Sequence, residues 1–195
     1  MAEPHPYLSQ EAYLEQERKA PFKSEYYRGE TFAMSGARRN HVVLMRQLST
    51  LLDNALRDRD CIVFTNDMRV HVPETTLYTY PDIAVVCGEE RYLDDEFDTL
   101  LNPIVLVEVL SETTEAYDRG KKFELYRPIA SLREYVLVAQ DRKRVEVFRL
   151  NERGHWELFE AAGDGAVIEL ASLDVRVGLD DLYRQVRFGD AQTGS

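Results

Sequence analysis

The sequence predicts an α/β domain: a mixed β-sheet flanked by helices, followed by a C-terminal antiparallel meander. Three observations predict it. The segment Arg38 to Arg57 keeps Leu44, Leu48, Leu51, Leu52, Ala55 and Leu56 at helical spacing, so one helix face packs on a sheet. Two nearly continuous apolar runs, Ile104 to Leu110 and Glu134 to Ala139, have the Val, Ile and Leu content of strands buried on both faces. The last third of the chain alternates short apolar runs with Gly154 and Gly163-Asp164-Gly165, the punctuation of a meander.

In chain order, Ser9 is placed to cap a first helix running to about Lys19, which Pro21 ends. Ser24 to Met34 reads as a hairpin turning at Arg28-Gly29. The long helix follows, then strands over Cys61 to Val72, Pro81 to Val86 and Ile104 to Leu110. Asp118 to Arg127 is a short helix stopped by Pro128, and Glu134 to Ala139 returns as a strand. Strand, helix, strand in that order suggests a right-handed parallel crossover. Val145 to Leu150, Trp156 to Glu160, Val167 to Leu170 and Val175 to Val177 form the meander, and Leu179 to Val186 is a closing helix. Residues 1–188 are expected to form one domain and 189–195 a flexible tail, since the sequence has no repeat and no long Gly/Pro/Ser linker.

Composition narrows the class. At 44% hydrophobic and 30% charged residues, the chain has the balance of a folded globular protein. Its longest apolar runs fall far short of the ~20 residues a membrane span needs, and Met1 to Leu8 lacks a signal-peptide pattern, so a cytoplasmic protein is expected. Cys61 and Cys87 have no Cys or His neighbour at zinc spacing, and reduced, partly buried thiols are expected of them. The net charge of -11 counts against coating nucleic acid through counterion release. Charge is uneven, however: Glu89 to Asp98 is an acidic loop, whereas Arg119, Lys121, Lys122 and Arg127 make a basic segment that can present a local positive strip.

Carboxylates inside apolar strands are the informative anomaly, because burying an ionised group costs several kcal/mol unless a partner compensates it. Glu108 stands in Ile-Val-Leu-Val-Glu-Val-Leu, and Asp82 opens Pro-Asp-Ile-Ala-Val-Val. If these strands pair, the two acids converge at one end of the sheet. Carboxylates about 4 Å apart repel by about 4 kcal/mol at an effective dielectric of about 20, so a cation between them is the natural guest. Oxygen ligands without nearby His or Cys favour Mg2+ or Mn2+ over zinc. Lys122 lies just beyond the Glu108 strand, sharing a helix face with Asp118 and Tyr126, and its amine could orient or help deprotonate a metal-bound water. Ordinary alternatives stay open: Asp82 as a turn cap, Glu108 as half of a buried ion pair, Lys122 as a solvated lysine beside the equally placed Lys121.

Three stretches carry a resemblance: Tyr80-Pro81-Asp82; Val107-Glu108-Val109-Leu110-Ser111-Glu112-Thr113-Thr114; and Asp118-Arg119-Gly120-Lys121-Lys122-Phe123-Glu124-Leu125-Tyr126. Together they resemble the Uma2 family of endonucleases, within the restriction-endonuclease-like, PD-(D/E)XK superfamily, over about Leu8 to Phe188. The resemblance implies a restriction-endonuclease-like fold, Asp82 and Glu108 as metal ligands and Lys122 as the catalytic lysine. It also implies second-rank roles for Glu25, as an added acid near the metal, and for His41, facing the cleft. Read without it, Glu25 is a surface strand residue and His41 a helix-start residue. One departure stands out: two residues after Glu108, where the superfamily's usual lysine would be, is Leu110. The Uma2 type supplies the lysine from the next helix, which requires that helix to fold back over the strand ends. Glu112 replaces the usual proline after Ser111.

The expected activity is therefore metal-dependent hydrolysis of a nucleic-acid phosphodiester, DNA first, through a metal-bound water. The alternatives are a non-catalytic nucleic-acid or protein binding module and a phosphodiesterase acting on a small nucleotide. The meander aromatics Phe148, Trp156 and Phe159 suggest a homodimer contact, since nucleases of this fold work in pairs to meet both strands.

Overall fold

The computed structural model describes residues 7–188. The tail expected after Phe188, and all but the last two residues of Met1 to Leu8, lie outside the described residues. The elements in order are α1 (Gln10–Glu17), β1 (Ser24–Tyr27), β2 (Glu30–Ala33), α2 (Arg39–Leu56), β3 (Cys61–Thr65), β4 (Arg69–Val72), β5 (Leu77–Thr79), β6 (Ile83–Cys87), β7 (Thr99–Leu100) and β8 (Val105–Leu110). A helical segment then runs through α3 (Glu115–Tyr117), a π-helical turn (Asp118–Lys122) and α4 (Phe123–Tyr126). The chain ends with β9 (Glu134–Ala139), β10 (Arg144–Leu150), β11 (Trp156–Ala162), β12 (Val167–Leu170), β13 (Val175–Gly178) and α5 (Leu179–Leu182).

Local chemistry sets several of these bounds. The Ser9 hydroxyl accepts a hydrogen bond from the Ala12 amide at 3.2 Å and caps α1. Arg28 and Gly29 both have positive φ, +49° and +90°, the two-residue turn whose twist suits a hairpin. That turn joins β1 to β2 in the expected register, with Glu25 opposite Phe32.

The main sheet has six strands in the order β11-β10-β9-β8-β6-β3. β8 and β9 pair in parallel, Val105 with Glu134 through Leu110 with Ala139, and the other neighbours are antiparallel. Both parallel strands are buried at every position. One face carries α2, whose Leu44, Leu48, Leu52 and Leu56 pack against Val85, Val107, Val109 and Val138. The other face carries Leu106, Leu110 and Leu137 against Leu125, Tyr126, Ile129 and Leu132. Five shorter strands, in the order β2-β1-β5-β4-β7, form a second sheet that continues this layer. Side chains alternate along a strand, so Glu108 shares the face of Leu106 and Leu110. Among the described residues no helix is long and apolar enough to cross a membrane.

Several expectations are corrected. Cys61 to Val72 is not one strand: Asn66 and Asp67 turn the chain, the Met68 amide returns to the Thr65 carbonyl, and β3 and β4 enter different sheets. Cys61 and Cys87 form a disulfide instead of two thiols, because β3 and β6 pair with these residues opposite one another, Cα atoms 4.0 Å apart. The closing helix is a single turn, with Tyr183 past its end donating to the Ala139 carbonyl. β12 and β13 pair only with each other and do not extend the main sheet. Phe148 and Trp156 are not exposed edge aromatics; both pack on Phe123, with ring centroids 4.5 and 5.2 Å away, and Phe159 with Leu158 is left outward.

Leu52 is wholly buried between α2 and the sheet. Leu52→Ala removes that burial and leaves a cavity, and is expected to lower unfolding free energy by about 2–5 kcal/mol in urea titrations.

Candidate active site

The antiparallel pairing of β6 with β8, Ile83 opposite Val107, brings Asp82 and Glu108 to the same end of the sheet. Asp82 follows Pro81, which has no amide hydrogen to add to the ladder. The Asp82 side chain crosses to the neighbouring strand, where its Oδ2 accepts the Val109 amide at 2.7 Å. Its Oδ1 lies 2.7 Å from His41 Nε2, in the first turn of α2. Asp82 does cap a backbone amide, but that of β8 rather than of its own turn.

Glu108 is nearly buried, its side chain 7% exposed. Its Oε1 accepts from the Tyr126 hydroxyl at 2.8 Å and faces Lys122 Nζ at 2.9 Å. Its Oε2 has no hydrogen-bond partner among the described residues, and the residue lines a cleft of about 800 Å³ together with Glu25, His41, Asp82, Asp118 and Lys122. Lys122 is held among three acids, with Glu108 Oε1 at 2.9 Å, Glu25 Oε1 at 3.2 Å and Asp118 Oδ1 at 3.7 Å. The π-helical turn widens the spacing so that both Asp118 and Lys122 face inward. Lys121 turns outward to Glu124 at 3.1 Å, which distinguishes the adjacent lysines. Glu25 is not a surface residue: its Oε1 also accepts from the Thr79 hydroxyl.

Glu25, His41, Asp82, Glu108, Asp118 and Lys122 therefore line one cleft, and Tyr126, wholly buried, reaches it through Glu108. Asp118 had appeared only as a residue sharing Lys122's helix face, and its spacing of four from Lys122 was the available signal. Thr79 and the Val109 amide carried no such signal. The basic segment does not form a continuous positive strip: Lys122 is buried, Arg119 pairs with Glu115 at 2.8 Å and Glu146 at 2.5 Å, and Lys121 pairs with Glu124, while Arg127, exposed over the Phe123 ring, has no acidic partner among the described residues.

Charge at the centre is unbalanced. Glu25, Asp82, Glu108 and Asp118 bring four carboxyls against the Lys122 ammonium and the His41 ring. Burial pushes the Glu108 carboxyl well above the ordinary range; Lys122 opposes this, while Asp118 and Asp82 add to it. Burial likewise raises Asp118 against the pull of Lys122. Burial also disfavours charge on Lys122, but Glu108, Glu25 and Asp118 outweigh it and hold its proton well above the usual lysine range. The centre thus retains protons because its acids are buried and only partly offset by Lys122.

A hard divalent ion fits this donor set. Among the described residues no three His, Cys, Asp or Glu side chains gather into a ready-made metal cage. Mg2+, however, is ordinarily held by one or two carboxylates, with water and substrate phosphate completing its shell. Asp82 and the unpartnered Glu108 Oε2 supply such a pair beside an open cleft.

Two variants read this charge balance. Ionised Asp118 penalises the folded state, because its folded pKa exceeds the ordinary one. The neutral acid's advantage is fully present below the unfolded pKa and lost as pH rises through the folded pKa. Asp118→Asn is therefore expected to stabilise the fold at about pH 8 and to have little effect at about pH 4. Lys122→Met leaves three acids without their ammonium and is expected to cost about 3–5 kcal/mol at about pH 8. Denaturant titrations at the two pH values check both; loss of stability in Asp118→Asn at about pH 8 would contradict the charge balance.

Comparison with known proteins accords with this geometry. Residues 10–180 match the Uma2 family, described as "Putative restriction endonuclease". Two uncharacterized proteins of Synechocystis sp. are each 36% identical, one over 95% of this chain and 96% of its own length, the other over 86% and 95%. A crystal structure from Anabaena variabilis, described as a "putative nuclease belonging to DUF820", superposes with a TM-score of 0.69 at 18% identity, over 88% of this chain and 97% of that one. The fold is thus that of a nuclease-type α/β domain, and the chain belongs to the Uma2 family.

Proposed function

We propose that this chain is a Mg2+- or Mn2+-dependent endonuclease that hydrolyses phosphodiester bonds of nucleic acid, with Asp82 and Glu108 as the metal-holding acids and Lys122 as the catalytic lysine. The observation that carries the reading is the buried Lys122 ammonium beside Glu108, in a cleft where Asp82 and Glu108 Oε2 stand as an incompletely compensated acid pair. The family description, restriction endonuclease, makes DNA the first substrate to test.

When bound, the ion supplies positive charge to the phosphate and lowers the pKa of water. The Val109 amide and His41 fix both oxygens of Asp82. Tyr126 and Lys122 fix Glu108 Oε1, and Oε2 is left without a hydrogen-bond partner among the described residues. Lys122, beside Glu108, is the cation that orients the attacking water and balances charge developing on the phosphoryl oxygens. Positioning and electrostatics then account for most of the rate. A non-catalytic binding module is the competing reading, favoured by the net charge of -11 and by the internal pairing of the basic segment.

Thermal melting with and without Mg2+ or Mn2+ separates the two. The nuclease reading expects stabilisation by the ion that disappears in Asp82→Asn, together with metal-dependent cleavage of DNA that falls at least about 100-fold in Asp82→Asn and Glu108→Gln. Identical melting curves and no cleavage favour the binding module. A homodimer joined along the free edge of β11, where Leu158 and Phe159 are 53% and 39% exposed, belongs to the same proposal. Light scattering is expected to give twice the chain mass, and a monomer mass would remove that part.

A further inference from the structure

Part of the lining of the cleft is apolar and aromatic, and the hydrolytic centre makes no use of it. Pro21, Phe22, Phe32, Met34 and Tyr117 line it. Phe22 is 79% exposed and Phe32 49% exposed, on the outer strand of the smaller sheet. Neither ring fills a core. Phe32 is the cross-strand partner of Glu25, and directly opposed side chains lie on the same face of a hairpin. Glu25 in turn contacts Lys122. The hairpin thus carries an open aromatic ring next to an acid of the catalytic cluster.

The charges of the cleft point the same way. Its acids are Glu25, Asp82, Glu108, Glu112 and Asp118, and its Lys and Arg residues are Lys23, Arg38 and Lys122. Lys122 is buried among acids, and Lys23 is tied to Asp67 and the Asn66 carbonyl at 2.7 Å each. Arg38 is exposed, its Glu112 partner 3.9 Å away. Duplex binding draws its affinity from many phosphate contacts made by free cations. This cleft offers few, on a chain of net charge -11. Unpaired bases present π-faces, and stacking on an aromatic side chain contributes about 1–3 kcal/mol per base, a contribution that duplex bases, already stacked and paired, do not offer.

We propose that Phe22 and Phe32 form a stacking ledge for unpaired bases, so that the substrate of this centre is single-stranded or locally melted nucleic acid and not intact duplex. The inference rests on the nuclease reading for its chemistry, but the binding it describes can be measured without cleavage.

The experiment uses fluorescein-labelled oligo(dT), oligo(rU) and a duplex of equal length. Binding is followed by anisotropy with Ca2+ in place of Mg2+, and cleavage with Mg2+ or Mn2+. One of the single strands is expected to bind at least about tenfold more tightly than duplex at equal salt, and the tighter of the two identifies the sugar preferred. Phe22→Ala and Phe32→Ala are each expected to weaken single-strand binding about 5- to 100-fold while leaving the metal-induced melting shift intact. Phe97→Ala, which alters a 63% exposed ring outside the cleft, is the control and is expected to change nothing. Equal or tighter binding of duplex, no binding of any probe, or single-strand binding indifferent to both cleft substitutions overturns the ledge. Duplex cleavage unaffected by those substitutions rejects the ledge and keeps the nuclease. Phenylalanine-dependent strand binding with neither metal shift nor cleavage keeps the ledge and rejects the nuclease.

Discussion

The structure depends on one buried ammonium. Lys122 meets Glu25 from β1, Glu108 from β8 and Asp118 from its own π-helical turn, so three distant stretches of chain converge on a single charge. None of the three acids is tolerable in that position alone, since an unpaired buried charge costs several kcal/mol. Their shared partner makes the arrangement possible but does not offset their burial in full, which is why Glu108 and Asp118 cling to protons. Such a partly compensated cluster lowers the stability of the fold. Asp82 is fixed by the Val109 amide and His41, so the two acids of the proposed metal site are held by separate networks that can be perturbed one at a time.

Charge is used inwardly throughout the molecule. Arg69, 3% exposed, reaches Tyr80 and the acidic loop at Asp98, and Arg18 clasps Asp94 and Asp98 from α1. The Asp98 carboxyl is driven well below the usual range by its hydrogen bonds with Arg18, against partial burial and with help from Thr99 and Arg69. The acidic loop is therefore a clasped structural element, and the basic segment is largely spent on Glu115, Glu124 and Glu146. Little free positive charge remains at the cleft to draw in a polyanion from a distance.

Much of this was legible in the sequence wherever the signal was local. Arg28-Gly29 marked the hairpin, the leucines of α2 marked its buried face, and acids inside apolar runs marked Asp82 and Glu108. What was not legible depended on pairing between distant segments. The disulfide follows from β3 lying antiparallel to β6, which no spacing between Cys61 and Cys87 announces. The break at Asn66 and Asp67 was hidden by apolar residues on both sides, because β3 and β4 are each good strands that enter different sheets. Glu25 looked like a surface residue for the same reason: its burial comes from Lys122 and Thr79, neither near it in the chain.

The absence of a lysine two residues after Glu108 also has a structural account. Leu110 lies on the same face as Glu108 and is 3% exposed, in a layer with Leu125, Leu132 and Leu137. An ammonium on that strand position would have to leave an apolar layer to reach the carboxylate, at the desolvation cost of any buried charge. Supplying the amine from the following helix avoids this, because the π-helical turn sets Lys122 over the strand end where Glu108 Oε1, Glu25 and Asp118 already converge. On the proposed nuclease reading, the chemistry requires a cation beside the acid pair, whichever element carries it. Moving it to the helix lets β8 remain a fully packed central strand while the reactive groups gather at its edge.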